Sequence, residues 1–100
     1  MLDSSDAIAE LLTLTLTVDQ WGDRIYRNPM GQLHRVYGPA LECANGTRRW
    51  YLNGNIHRTD GPAAEYADGH KAWWLNDKLH RTDGPAIELA NGDTQWFLNG

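Results

Sequence analysis

Apolar and polar positions fall into two rhythms along this chain. Near the start, Leu12-Thr13-Leu14-Thr15-Leu16-Thr17-Val18 alternates strictly between apolar and hydroxylated residues, as a strand with one buried face does. From Tyr26 onward, short runs of strand formers are cut repeatedly by Asn-Gly, Asp-Gly and Asn-Asp pairs, which are hairpin signals. Ahead of both, Ser4 or Ser5 can cap a short helix that carries Asp6 in its first turn and runs to Leu12. The expected fold is mainly β: a row of antiparallel β-hairpins behind a short N-terminal helix.

The hairpin signals recur with a period of 23 residues. His34-Arg35-Val36-Tyr37-Gly38-Pro39-Ala40 is followed by His57-Arg58-Thr59-Asp60-Gly61-Pro62-Ala63 and by His80-Arg81-Thr82-Asp83-Gly84-Pro85-Ala86. In the same phase come Glu42, Glu65 and Glu88, then Trp50, Trp73 and Trp96, then Leu52, Leu75 and Leu98. Gly22-Asp23-Arg24-Ile25-Tyr26 is similar to Gly92-Asp93-Thr94-Gln95-Trp96, with one extra residue between Tyr26 and Gly31. The organisation expected is therefore a single repeat domain over residues 1–100. A helical cap covers 1–12, a degenerate repeat 13–33, and three full repeats 34–100, atypical terminal repeats being usual in such arrays.

Each repeat holds two turns. A two-residue turn at Asn45-Gly46 would pair Glu42 with Arg49 and Leu41 with Trp50, and by the same count Ala64 with Trp73 and Ile87 with Trp96. Because side chains alternate across a strand, Trp50, Trp73 and Trp96 then face one way and Tyr51, Trp74 and Phe97 the other. The first stripe, with Leu41, Ala64 and Ile87 behind it, is the expected core. The second is either an exposed apolar stripe or a second half of the core.

The units Trp50-Tyr51-Leu52-Asn53-Gly54-Asn55-Ile56-His57 and Tyr66-Ala67-Asp68-Gly69 resemble MORN-type repeats, a family of 23-residue β-hairpin units. The resemblance covers residues 26–100. At His57-Arg58-Thr59-Asp60-Gly61-Pro62 this chain has its own variant where the family carries His-Gly-x-Gly, so the family's association with membrane lipids is not carried over. That variant also looks like repeats of small bacteriophage and large-virus proteins, which implies a viral origin.

Composition narrows the function. Thirteen acidic against nine basic residues give a net charge of -4, with no Lys or Arg run to neutralise successive phosphates. Nucleic acid and anionic membranes are poor partners for such a chain, whereas a protein with a basic surface is a good one. A single cysteine, Cys43, excludes an internal disulfide and argues against a thiolate metal site, which points to a reducing, cytoplasmic location, in a bacterial host if the protein is viral. Asp3, Asp6 and Glu10 interrupt the apolar start, so neither a signal peptide nor a membrane span is expected.

His34, His57 and His80, with the acids near them, could be read as a hydrolase site, but a set that recurs once per repeat reads better as structural. No cofactor or metal is expected. The candidate partner-binding residues are the aromatic stripe Tyr51, Trp74 and Phe97 and the acidic column Glu42, Glu65 and Glu88, the latter also open to a reading as an ion-pair ladder with Arg49 or with Arg35, Arg58 and Arg81. Thr94-Gln95-Trp96-Phe97-Leu98 has no Lys, Pro or bulge signal to blunt a sheet edge, so a homodimer is expected. The expectation for function is a non-enzymatic protein-interaction module, for instance a phage-derived inhibitor that blocks a host protein such as a CRISPR-type defence component. The alternative is a structural, self-assembling repeat, and behind it a hydrolase.

Overall fold

The computed structural model describes residues 9, 10 and 12–100. The fold is mainly antiparallel β. Ala9, Glu10, Leu12 and Thr13 have helical backbone, and the remainder of the expected N-terminal helix lies outside the described residues. Among the described residues no helix follows Thr13, and none is long and apolar enough to cross a membrane.

Eight strands form one sheet: β1 (Thr15–Val18), β2 (Arg24–Arg27), β3 (Leu41–Glu42), β4 (Arg48–Arg49), β7 (Ala64–Glu65), β8 (Lys71–Ala72), β11 (Ile87–Glu88) and β12 (Thr94–Gln95), side by side in that order. Two short hairpins stand apart from it: β5 (Tyr51–Leu52) with β6 (Asn55–Ile56), and β9 (Trp74–Leu75) with β10 (Lys78–Leu79). The longest dimension, 39 Å, is about what eight strands spaced near 4.8 Å produce.

The two turns of each repeat differ. At the second, Asn53 (φ 49°) with Gly54 (φ 86°) and Asn76 (φ 48°) with Asp77 (φ 65°) make the two-residue left-handed turn that the sequence suggests. At the first, the loop has three residues: Cys43 N–H donates to Thr47 O and Gly46 N–H to Cys43 O, so Ala44, Asn45 and Gly46 form the loop. Only Gly46 has positive φ there (98°), because the Asn45 side chain accepts the Thr47 N–H and holds Asn45 in the right-handed region. Asp68 and Asn91 do the same for His70 and Asp93.

The extra residue moves the register by one. Leu41 pairs with Arg49 rather than Trp50, Ala64 with Ala72 rather than Trp73, and Ile87 with Gln95 rather than Trp96. A slip of one residue exchanges the faces of a strand. The core accordingly lies on the side of the second aromatic stripe. Ile56, Ala63, Ala64 and Ala72 are buried together, with Tyr51, Trp74, Leu79 and Ile87 packed against them. Trp50 and Trp73 are half-buried at the corners where the chain leaves the large sheet for a small hairpin, and Trp96 is exposed.

Two three-residue loops lie between Asp19 and Gln32. Gln20, Trp21 and Gly22 close a three-residue loop of the first kind, with Asp19 N–H donating to Asp23 O. Asn28 N–H donates to Gln32 O across Pro29, Met30 and Gly31, so the additional residue before Gly31 is absorbed by a three-residue loop in place of the left-handed pair.

Candidate interaction surface

The seven residues from His57 to Ala63 act as one device. His57 N–H donates to Trp50 O, and its Nδ1 accepts the N–H of Asn76 at 3.0 Å, which leaves the ring proton on Nε2. His34 and His80 accept from Asn53 and Asn99 in the same way, at 2.9 and 3.1 Å. His34 and His57 thereby tie their loops to the left-handed turn of the next small hairpin, and His80 ties its loop to Asn99, which has the same positive φ.

The arginine that follows is held on every side. The Arg58 guanidinium lies 3.9 Å from the Trp50 ring centroid, donates from Nη1 to Pro62 O at 3.0 Å and to Glu65 Oε1 at 3.4 Å, and from Nε to Asp60 Oδ1 at 2.9 Å. Arg81 repeats the arrangement with Trp73, Pro85, Glu88 and Asp83, and Arg35 repeats most of it with Tyr26, Pro39 and Glu42. Tyr37 stands where the other repeats have Asp60 and Asp83, and Arg35 Nε is buried without an acceptor as a result.

Gly38, Gly61 and Gly84 are explained by the same arginines. Their φ angles are not left-handed; a Cβ on them would meet the Arg Cζ at 2.9, 3.0 and 2.6 Å. The guanidinium is therefore clamped between an aromatic ring and a glycine backbone. Ala40, Ala63 and Ala86, with no exposed surface, accept the N–H of Tyr26, Trp50 and Trp73 and complete the join between hairpins.

Glu42, Glu65 and Glu88 are paired with Arg35, Arg58 and Arg81, while Arg49 pairs across the sheet with Leu41 and Ala64. Tyr51 and Trp74 are half-buried against the core, and burial pushes the Tyr51 hydroxyl pKa up despite Arg49 beside it. Phe97 is half-buried at the last cleft described below.

One face carries three successive clefts between the loops, which sequence reasoning did not single out. The first, about 610 Å³, lies between the Val36–Gly38 and Arg58–Asp60 loops over Trp50 and Leu52. The second, about 450 Å³, lies between the Arg58–Gly61 and Arg81–Asp83 loops over Trp73 and Leu75. The third, about 480 Å³, is lined by Arg81, Thr82, Trp96, Phe97 and Leu98. The arginine side chains are 18–22% exposed, whereas Asp60 and Asp83 are 83% exposed, so the charge presented outward at the two ridges is a carboxylate. The Trp-Leu pairs at a fixed spacing were the available signal.

Comparison with protein-family models, with curated proteins and with solved structures finds no match for this chain.

Proposed function

We propose that the protein is a non-enzymatic protein-interaction module built of MORN-like 23-residue repeats behind a short N-terminal helical cap. The observation that carries this reading is the division of labour between its residues. The His, Arg and acidic groups that could supply chemistry are bound to one another and to the backbone, once per repeat, while large apolar side chains line clefts on one face. An active site needs one reactive constellation with an unengaged base; a binding surface needs rigid, repeated anchor pockets. The negative net charge and the outward carboxylates fit a basic protein partner. In its biological setting we read a phage-derived inhibitor, acting in the cytoplasm of a bacterial host, that occludes a host protein such as a defence component.

A second reading, self-association, is favoured by the two ends of the large sheet. β1 carries Leu16 and Val18 at 46% and 59% exposure, and Trp96 and Leu98 beside β12 are each 66% exposed. Joining copies through these ends would cover them and give a homodimer or a longer row. Affinity capture followed by light scattering separates the readings. A foreign protein held at fixed stoichiometry supports the first, and assemblies of this chain alone support the second.

A further inference from the structure

The three clefts form a ruler. Successive repeats are two ladder steps apart in the large sheet, so equivalent clefts recur about every 9.6 Å. Neighbouring clefts share a wall, Arg58-Thr59-Asp60 between the first and second and Arg81-Thr82 between the second and third, so they make one continuous row. A ligand that fills the row must present an anchor on one side at that interval.

Few polypeptide conformations do so. A β-strand places same-side residues about 6.7 Å apart, and its third residue points the opposite way. An α-helix returns to one face after about 5.4 Å, and two turns, about 10.8 Å, overshoot by more than an ångström per cleft. A polyproline II helix has three residues per turn and rises about 3.1 Å per residue, so every third side chain returns to the same side after about 9.3 Å. Grooves floored by aromatic residues are the usual receptors for that conformation. Trp50 with Leu52, Trp73 with Leu75, and Trp96 with Phe97 supply such floors.

Charge selects the remaining positions. At the two ridges the exposed groups are the Asp60 and Asp83 carboxylates, each 83% exposed, with Glu65 and Glu88 at 32% and 39% behind them. At these two ridges one arginine, Arg58 or Arg81, largely covered by its own contacts, is set against two carboxylates, which leaves a net negative charge at each. A cation once per turn of the ligand would lie over these ridges.

We infer that the cleft row binds an extended, proline-rich basic segment of a partner protein in the polyproline II conformation, with an apolar anchor in each cleft and a basic side chain over each of Asp60 and Asp83. This rests on the reading of the protein as an interaction module and names the partner chemistry. The occupant is a peptide of period three, carrying proline and arginine.

The test is titration of the intact protein, read by tryptophan fluorescence and backbone NMR shifts, with the peptides (Pro-Pro-Arg)4, (Pro-Pro-Glu)4 and (Pro-Arg)6. The expected result is that (Pro-Pro-Arg)4 binds at least tenfold more tightly than (Pro-Pro-Glu)4 and several-fold more tightly than (Pro-Arg)6, which has more charge but the wrong period. The shifts should map to Trp50, Leu52, Trp73 and Leu75. The double substitution Asp60→Asn with Asp83→Asn keeps an acceptor for each Arg Nε and removes the charge, so it should fold normally and weaken (Pro-Pro-Arg)4 at least fivefold. Equal binding of the three peptides, no binding of any, or shifts elsewhere on the molecule overturns the inference. Failure here together with capture of a folded partner protein by another surface would leave the interaction reading standing.

Discussion

Arg58 stacks on Trp50, guanidinium carbon 3.9 Å from the ring centroid, although the two residues belong to successive repeats of the chain. The same stack joins Arg81 to Trp73 and Arg35 to Tyr26, the latter at 4.1 Å. Core burial is modest, since the fully buried side chains are mostly alanines. Polar joins of this kind therefore carry a larger share of the stability than in a domain with a large aliphatic core.

Replacing Arg81 by alanine should cost about 2–3 kcal/mol, the sum of a stacked cation and charged hydrogen bonds that are only partly exposed. Gly84→Ala should cost about 1–3 kcal/mol, because the new Cβ displaces the same guanidinium. Both remove one contact, so the double variant should be clearly less destabilised than the sum of the singles. Urea unfolding of the three variants checks this, and strict additivity would mean that Gly84 serves some other purpose.

The corrected core makes a different ordering of tryptophans. Trp74→Ala should destabilise by about 3 kcal/mol because its ring packs against the buried Ile56 and alanine cluster. Trp96→Ala, at 66% exposure, should cost less than about 1 kcal/mol. Thermal or urea melts of the pair measure the difference directly, and equal losses would return the core to the first stripe.

The histidine ties predict a local effect. His57→Ala removes the acceptor of the Asn76 N–H and should cost about 1–2 kcal/mol. Amide exchange should accelerate at Asn76 and Asp77 before it does at Lys71 and Ala72 in the large sheet. Uniform acceleration across all four would show that the small hairpin has no separate attachment.

Titration acts at the alkaline end. Burial, with Asp23 second, pushes the Cys43 thiol above its ordinary 9.0, and burial pushes the Tyr51 hydroxyl above its ordinary 10.0. The unfolded chain loses these protons first, so the native state binds more protons and stability falls as pH rises. The contribution is complete below about pH 9 and disappears as pH climbs through the folded values. Unfolding curves at pH 8 and pH 10.5 should differ in that direction, and Cys43 should alkylate more slowly in the native protein than in urea.

The antiparallel hairpins and the second turn were legible because each is written in short-range chemistry. The register was not. Asn45-Gly46 and Asn53-Gly54 are the same dipeptide in two conformations, and the choice rests on a partner outside the turn: the N–H of Asn53 is taken by His34, 19 residues away. At Asn45 the side chain instead captures its own downstream N–H, which adds the third loop residue and shifts the strands by one. The recurring His ahead of the left-handed turn was the available clue. Gly61 and Gly84 were equally opaque, since a glycine without a left-handed φ marks crowding by Arg58 or Arg81, visible only in three dimensions.

The most direct test of the interaction reading is quantitative affinity capture from bacterial lysate, comparing the wild type with the Asp60→Asn, Asp83→Asn double variant at equal loading. The account predicts a foreign protein retained at fixed stoichiometry by the wild type and depleted severalfold by the variant. Recovery of nothing but copies of this chain would contradict it, and equal recovery of a foreign protein with both would move the contact to a surface other than the cleft row.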